Sequence, residues 1–400
     1  MATAKKLTRV LDKLVQVGAS YLDQSLRSYV TENREYRLYT DANANTYAVF
    51  SYFTSGNFII EEQRNVDMFL VSGGGGSTIG NVSGGSGGGE VVSIRNMSLP
   101  ANEYLIEIGA GGAGAFISTF NFPSAPGAGE QTIGFNGNDT SFKTYQSANT
   151  ITVLGGGVGG HRNQNTYPTV GGSGGGAGGA DTDVIQLIQN LQDPYAAGAA
   201  NTSNSTVVEA VTNGYFGGDV TRYGNNGGDS DAYNNVYDAN DPATYNAGGG
   251  GGAGQVGFVG TDYKGGQGGD GISIDWVNEV FKHVYKSDHN IFWGGGGGGA
   301  ATTDKEPGNG GKGGGGGGAG VRQSGNTDLE TYFNGLGGVD GWNDGFDSSR
   351  LRGGSGAKNT GGGAGGSMSI GSLAHGHDAT LTQGENGGSG FLLIRVLLDN

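Results

Sequence analysis

Glycine occurs in about a dozen blocks between residues 73 and 390, with strand-like apolar segments between and beside them. It has no side chain to bury, and it loses more conformational freedom on ordering than any other residue. A fold built from these blocks therefore cannot rely on an apolar core within them. With 88 glycines in 400 residues, the blocks are either flexible linkers or a structure stabilised by backbone hydrogen bonds.

The remaining composition excludes several classes of protein. Collagen requires glycine at every third residue and abundant proline, whereas this chain has 7 prolines and its glycines come in blocks. The 18 Tyr, 16 Phe and 3 Trp residues are too many for a typical disordered chain. A net charge of −15 argues against nucleic acid as a partner, because phosphate binding requires clustered Lys and Arg side chains.

Sequence features that report on compartment give little information. The chain has no cysteine, so it cannot contain a disulfide or a thiolate metal site. The N-terminal residues lack the apolar stretch of a secretory signal peptide. No window approaches the roughly 18 consecutive apolar residues of a transmembrane helix. We therefore expect neither a secretion signal nor insertion into a membrane.

Packed glycine blocks can form an ordered core of an unusual kind. Glycine-rich backbone can adopt an extended left-handed helix with three residues per turn and a rise of about 3.1 Å per residue. Such a helix has no internal hydrogen bonds, so its N–H and C=O groups need partners on neighbouring helices. The sequence thus predicts a bundle of polyglycine II helices with side-chain-rich loops at its ends. The small residues expected at the rim of the bundle are Ala113, Val158, Ala177, Ala253 and Ala364.

Residues 3–33 have the three- and four-residue apolar spacing of an amphipathic helix. Charged residues such as Lys5, Arg9 and Asp12 fall on its other faces. The helix is expected to be an oligomerisation or attachment segment within residues 1–40, or to pack on its own domain. Its apolar positions are Leu7, Leu11, Leu14, Tyr21, Leu22 and Leu26.

Period-two patterns predict a small antiparallel β region. Residues 46–60 indicate a β-hairpin, and residues 65–72 indicate a buried strand that runs into the first glycine block. The expected fold is mostly β and irregular, with the hairpin and this strand in residues 41–72 and a glycine-rich domain in residues 73–400. Long surface loops of the glycine-rich domain are expected at residues 115–147, 180–247, 272–293, 321–352 and 367–383.

The loops contain the aromatic side chains that best indicate a binding surface. Tyr and Trp among Ser, Gly and Asn are typical of adaptable recognition surfaces. The alternative is that these rings cover the ends of the glycine bundle. In residues 271–293, the pattern of Val277, Val280, Phe281 and Val284 favours a core role. The candidate receptor-binding residues are Tyr215, Phe216, Tyr223, Tyr233, Tyr237, Tyr245, Trp293, Tyr332, Phe333, Trp342 and Phe346.

Three short motifs suggest ligands, and each has a simpler explanation. Residues 265–273 match one calcium-binding nonapeptide, but that motif works as stacked tandem copies. Lys312 lies in a sequence like a phosphate loop, but glycine follows it instead of Ser or Thr. His375 and His377 could hold a transition metal on a strand, or simply lie in a polar loop. The chain contains no HExxH motif and no nucleophile elbow, so we expect no enzyme and no cofactor.

Four features in this order resemble the glycine-rich domain family of phage tail-fibre and adhesin proteins. They are YFTSGNFIIEEQRNVDMFLVSGGGG at residues 52–76, SLPANEYLIEIGAGGAGA at 98–115, the inner glycine blocks, and GENGGSGFLLIRV at 384–396. The chain is also similar in style to the distal adhesins of T-even-like phages. The resemblance implies packed polyglycine helices whose intervening loops contact a host receptor. The predicted N-terminal helix and the long Asn/Asp-rich segments depart from the pattern of those adhesins.

The resemblance and the aromatic loops together predict a viral structural protein that binds a host-surface receptor, either a glycan or an outer-membrane protein. We expect it in the tail fibre or tail tip of the virion, and outside cells after release. Other tail proteins would bind its N-terminal helix. We also expect a homo-oligomer, such as a trimer, because fibres usually have this symmetry. A virion assembly or decoration protein would instead bury its loops against neighbours. A silk-like structural protein would not unfold cooperatively.

Overall fold

The described part of the chain is mostly strand and irregular extended backbone, with one short α-helix. The computed structural model describes residues 35–80, 82–116, 133–145, 149–160, 168–178, 216–230, 246–301, 305–322, 331–349, 351–367 and 383–398. The strands form antiparallel sheets, as the sequence predicts. The predicted N-terminal helix lies outside the described residues and has no structural support.

Two antiparallel sheets contain ten of the strands in the described ranges. The larger has six strands in the order β1 (Glu35–Thr40), β2 (Thr46–Tyr52), β12 (Phe391–Leu398), β4 (Arg64–Val71), β5 (Val91–Leu99) and β9 (Gly217–Tyr223). The smaller has four strands in the order β3 (Gly56–Ile60), β6 (Asn102–Glu107), β7 (Thr140–Thr144) and β8 (Thr150–Val153). A separate hairpin pairs β10 (Ala319–Arg322) with β11 (Thr331–Asn334).

Alternate residues of the two sheets form an apolar core between them. Phe50 on β2 and Phe58 on β3 meet edge to face, with ring centroids 5.2 Å apart, and Tyr104 stacks on Phe142 at 4.7 Å. The bend between β2 and β3 therefore carries the chain from one sheet to the facing one. The predicted hairpin at residues 46–60 is wrong, because β2 and β3 do not pair with each other. They lie in facing sheets, and each directs its apolar face into the core between the sheets.

The last strand of the chain completes the larger sheet. β12 lies between β2 and β4 and pairs with both, so Ile394 is opposite Phe50 on one side and Met68 on the other. The predicted boundary between residues 41–72 and 73–400 consequently divides a single sheet. Apolar strands far apart in sequence must meet to bury both faces, and the spacing within one segment does not reveal this pairing.

The outer face of the larger sheet is covered by α1 (Asp275–Val280) and a π-helical turn at Phe281–Tyr285. Val277, Val280, Phe281 and Val284 are buried there, which confirms their predicted core role. Residues 272–293 are therefore not a surface loop. They form the third layer of the fold, and Trp276 and Trp293 pack edge to face on Phe69 of the sheet below.

Glycine segments continue from one common end of the two sheets, and we call these extended segments rods. Val71 of β4 is opposite both Val91 and Phe391, so these three strands meet the rods at the same end. The strands β4, β6, β8 and β9 run into rods at residues 72–78, 109–115, 154–160 and 225–230, and rods at 82–90, 134–139 and 384–390 run into β5, β7 and β12. Together the rods form a lattice beyond the sheets.

Successive amides of one rod donate to three different neighbours in turn. In the rod at 82–90 the pairs are Gly84 to Gly160, Gly85 to Gly248, Ser86 to Ala364, and then Gly87 to Gly157, Gly88 to Gly251 and Gly89 to Gly361. The partner rod thus repeats every third residue, which is the repeat of the extended left-handed helix. Carbonyls of the same rod accept from Gly75, Gly176 and Gly297 on three further rods. The rod is therefore hydrogen-bonded to six neighbours.

The rods approach so closely that only glycine fits at many positions. A Cβ atom on Gly85 would lie 2.0 Å from the carbonyl oxygen of Gly297, and one on Gly297 would lie 2.0 Å from that of Ala364. Neither neighbour can move easily, because both oxygens belong to other rods. The interior is consequently held by backbone hydrogen bonds, each contributing about 1 kcal/mol net.

Small residues inside the glycine blocks do not all face outward. Ala113 is exposed as predicted, but Val158, Ala177, Ala253 and Ala364 are buried, so the predicted rim position is wrong for those four. Small side chains also pack between rods elsewhere, as in a buried cluster of Val82, Ala247 and Ala300.

Candidate functional site at the loop-bearing end of the lattice

The rods end together on the side of the lattice away from the sheets. One layer of hydrogen bonds, called the distal layer below, joins Ser83 to Ser367, Gly84 to Gly160, Gly160 to Gly176, Gly248 to Ala177, Ala300 to Ser83 and Ala301 to Ala319. From this layer the chain continues into residues 161–167, 179–215, 231–245, 302–304, 323–330 and 368–382, which lie outside the described residues. Much of the predicted loop sequence therefore begins or ends here.

A short turn at residues 261–264 presents the most exposed aromatic ring of the described distal layer. Thr261 and Lys264 exchange backbone hydrogen bonds of 2.8 and 3.2 Å, and this tight turn leaves Tyr263 77% exposed. The Lys305 ammonium lies 5.1 Å from the centroid of the Tyr263 ring. Sequence reasoning missed Tyr263, although a Tyr in a four-residue interruption between two glycine rods was a usable signal.

Other aromatic residues also lie near this layer. Phe116 is exposed at the end of its rod and forms a backbone bridge with Gln383. Tyr332 and Phe333 lie on β11, and Phe333 is half-buried. These positions bring the predicted residues Tyr332 and Phe333 to the same end of the lattice as Tyr263.

Two predicted receptor-binding residues lie in the core instead. Phe216 is fully buried between the sheets, with its ring 6.3 Å from those of Tyr104 and Phe142. Trp293 is fully buried under α1 and stacks on Phe391 at 5.1 Å. Neither ring can contact a receptor. Trp293 precedes a rod and Phe216 precedes β9, and the sequence alone does not separate such buried aromatic residues from exposed ones.

Three further candidates are accessible but are not at the distal layer. Trp342 is half-buried near the sheets, with its ring 5.0 Å from Phe281 and 5.2 Å from Tyr285. Tyr223, the last residue of β9, is half-buried where the larger sheet meets the rods. Phe346 is 60% exposed along the side of the lattice. The candidate residues thus do not form one cluster.

The remaining candidates lie outside the described residues and stay predictions. They are the loop residues Tyr215, Tyr233, Tyr237 and Tyr245, the helix residues Leu7, Leu11, Leu14, Tyr21, Leu22 and Leu26, and the metal candidates His375 and His377. Within the described ranges, no group of three or more His, Asp or Glu side chains is placed to hold a metal ion. No helix in the same ranges is long and apolar enough to cross a membrane.

The calcium-like and phosphate-like motifs form neighbouring rods. Asp270 accepts a hydrogen bond of 2.9 Å from the amide of Lys312. The Lys312 ammonium lies 2.9 Å from the Asp340 carboxylate, which raises the pKa of Lys312 by hydrogen bonding and charge. Both key side chains therefore have structural partners in the lattice.

A buried charged cluster joins the larger sheet to α1. Arg395 on β12 donates to one oxygen of Asp67 at 3.0 and 2.5 Å, and to the Tyr39 hydroxyl at 2.5 Å. Its guanidinium lies 4.8 Å from the Trp276 ring centroid. Burial raises the pKa of Tyr39 to about 12, although Arg395 opposes that shift. Because the cluster is closed to solvent, we assign it a structural role.

A second buried carboxylate lies where the sheets meet the rods. Glu90 accepts a hydrogen bond of 2.8 Å from the Leu154 amide and forms an ion pair with Arg222. Burial raises the pKa of Glu90 to about 7, against the lowering effects of the Leu154 amide and Arg222. The protonation state of this group therefore changes near neutral pH.

A β-sandwich that continues into a hydrogen-bonded glycine lattice defines a glycine-rich domain protein. The family model described as a glycine-rich domain matches residues 53–274, which is more than half of the 400-residue chain. The chain belongs to this glycine-rich domain family. A comparison with curated proteins found no significant match.

Proposed function

We propose that this protein is an adhesin of a phage tail fibre or tail tip, in which polyglycine II helices hold receptor-binding loops. The supporting observation is the distal layer, where rods from all parts of the chain end side by side and long non-glycine segments begin or end. The three-residue rotation of hydrogen-bond partners supports the polyglycine II assignment.

A backbone-bonded scaffold suits recognition for two reasons. Rigid rods reduce the conformational freedom that the loop bases lose on binding, which leaves more of the interaction energy for affinity. Interior rods make their hydrogen bonds through backbone groups, so the loop sequence can change without altering the lattice. The sheets and the predicted N-terminal helix would then attach the protein to other tail proteins, in a homo-oligomer such as a trimer.

The chemistry of the distal layer favours a glycan or an outer-membrane protein as the receptor. Tyr263 offers an exposed ring and Lys305 a neighbouring charge, while Phe116 and Phe333 add apolar surface. Aromatic rings of this kind stack on sugars or fill pockets on a protein surface. The proposed activity is binding, without catalysis and without a cofactor.

Binding of fluorescently labelled protein to candidate host cells tests this proposal. A variant with Tyr233→Ser, Tyr237→Ser and Tyr263→Ser should lose binding, because it removes the exposed ring of the distal layer and two of the residues predicted from sequence to bind the receptor. Phe346→Ser is the matched control, since it removes an exposed ring from the side of the lattice. Deletion of residues 180–247 is unsuitable, because it would remove β9 and part of the lattice. Equal binding by wild type and the triple variant would contradict the assignment of the site.

A virion assembly or decoration protein is the second candidate function. Exposed Leu336, Val339 and Phe346 along the side of the lattice favour it, since they provide apolar surface for a neighbouring virion protein. In that case Phe346→Ser would reduce incorporation into particles, and the triple variant would assemble normally. The same two variants therefore distinguish adhesion from assembly.

A further inference from the structure

The glycine lattice has no intrinsic limit to its width. Each rod directs N–H and C=O groups outward on all sides, so an edge rod resembles the edge strand of a β-sheet, which can pair with another chain. Among the described residues, the amides of edge residues Ala110 and Ala113 donate to no backbone carbonyl. A second copy of this chain carries the same rods and could add to such an edge.

Edge rods carry exposed side chains at every third position. Ala110 and Ala113 on one edge rod are exposed, as are Val256 and Val259 on another and Leu336 and Val339 on a third. With three residues per turn, positions three apart lie on the same side of the rod. Interior rods carry glycine at every position, as at residues 294–299, or small side chains that are buried, as at residues 82–90.

Asn and Asp side chains supply the hydrogen bonds that an additional rod would make. The Oδ1 atom of Asn386 accepts from the Gly114 amide at 2.9 Å, and that of Asp347 accepts from the Gly337 amide at 2.8 Å. Asn309 accepts from Leu336 in the same way, at 3.0 Å. These oxygens lie where carbonyl oxygens of a neighbouring rod would otherwise be.

We propose that these edge side chains terminate the lattice and prevent the rods of a second copy from adding to its edge, whatever contacts join copies elsewhere. The spacing between packed rods shows how a Cβ atom on the contacting side acts. A Cβ on Gly112 would lie 1.9 Å from the carbonyl oxygen of Phe135, and one on Gly338 would lie 1.7 Å from that of Gly311. A Cβ atom that faces outward at an edge position would overlap an added rod in the same way, and the longer side chains of Leu336 and Val339 would overlap it further. This inference does not depend on the proposed receptor binding.

Removing the Cβ atoms from one edge tests the proposal. Ala110→Gly with Ala113→Gly creates an unbroken glycine run at residues 109–114, and Leu336→Gly with Val339→Gly does the same at 335–339. The matched controls place Ser at the same pairs of positions, which keeps Cβ without adding apolar surface. Sedimentation equilibrium should give a mass that increases with concentration for the glycine variants, relative to wild type and the Ser controls. Equal masses for the Gly and Ser variants, with cooperative unfolding preserved, would overturn the proposal.

The capping oxygens are tested separately, in a variant that keeps both alanines. Asn386→Ala should increase the hydrogen-exchange rate of the Gly114 amide, whereas Asn386→Asp should retain slow exchange because it keeps an acceptor oxygen. An unchanged Gly114 rate in Asn386→Ala would show that Asn386 does not cap this edge. This measurement tests whether Asn386 caps the edge, even if the paired substitutions to glycine destabilise the fold.

Discussion

At the scale of single residues, glycine acts here through the space that its missing Cβ leaves. Gly297 donates to Ser86 and has the carbonyl of Ala364 where a Cβ would lie. Flexibility, the usual reason for glycine in a chain, is removed by this packing. Substitution should therefore destabilise by overlap of atoms, with little dependence on helix or strand propensity.

Gly297→Ala should lower the free energy of unfolding by roughly 1–3 kcal/mol or more, as expected for overpacking of a dense interior. The added Cβ would lie 2.0 Å from a backbone oxygen. Gly217→Ala is the control, because nothing lies within 4 Å of its Cβ position. Urea unfolding followed by circular dichroism measures both variants. Equal midpoints for the two would contradict close packing at Gly297.

Glu90 should make the protein less stable as the pH rises from about 4.5 to 7. Its pKa is raised from 4.5 to about 7 in the folded state, so in this range the folded protein holds a proton that the unfolded chain has lost. The stability that this proton contributes is fully present at pH values below the pKa of Glu90 in the unfolded chain. It is lost as the pH rises through the pKa of Glu90 in the folded protein. One pKa unit corresponds to about 1.4 kcal/mol, so the loss is up to about 3 kcal/mol.

Urea unfolding of wild type and Glu90→Gln at several pH values between 4 and 8 checks this prediction. The glutamine cannot ionise, so the difference between the two curves isolates Glu90 from other carboxylates. The wild type should lose stability relative to the variant as the pH rises through this range. A constant difference would mean that Arg222 and the Leu154 amide keep Glu90 ionised at all these pH values.

At the scale of elements, some strands could be predicted from sequence and their partners could not. The patterns identify residues 46–60 and 65–72 correctly as β segments, whereas β7, β9 and β11 lie in segments predicted to be loops. The rods could also be predicted, because backbone this rich in glycine needs partners for its hydrogen bonds. Pairings such as Gly297 with Ser86 could not, since glycine carries no side-chain pattern that specifies a neighbour. The sequence also does not reveal that Phe216 and Trp293 are buried, because their burial depends on strands and rods that are distant in sequence.

The side-chain spacing within the rods was a signal available in the sequence. Uninterrupted runs such as residues 294–299 lie inside the lattice, and runs with Leu or Val at every third position, such as residues 335–339, lie at its edge. Runs with Ser or Ala at this spacing occur both inside the lattice and at its edge. Several Asn and Asp residues, which suggest receptor contacts, instead cap amides of adjacent rods. The Asn and Asp residues near the candidate site therefore cannot all be counted as receptor-binding residues, because some of them cap the edge of the lattice.

Arg395→Met should destabilise the junction of β12, β4 and α1 by about 3–5 kcal/mol, because it leaves the Asp67 carboxylate buried without its main partner. Adding Asp67→Asn removes that charge and should restore part of the loss. A double-mutant cycle by urea unfolding measures the coupling between the two residues. Strictly additive effects would show that the ion pair contributes no stability beyond the two separate side chains.

At the scale of the whole molecule, the sheets and the lattice share the same pieces of chain. β4, β5 and β12 are each continuous with a rod, and the rods bond to one another across the sequence. The lattice interior and the sheet core are therefore expected to open together. This expectation separates the protein from a silk-like chain, in which glycine segments would exchange independently of any sheet.

Phe142→Ala tests this coupling from the sheet side. The ring is fully buried between the sheets and stacks on Tyr104, so its removal should cost about 3–5 kcal/mol. If the molecule unfolds as one unit, hydrogen exchange of the Gly297 amide, deep in the lattice, should accelerate by the factor that corresponds to this loss. Val339→Ser, at the exposed edge, is the control and should leave Gly297 unchanged. The Phe142→Ala variant could instead show fast exchange in the sheets and slow exchange at Gly297. That result would mean that the lattice is stable by itself, and that the sheets serve only to join it to the rest of the chain.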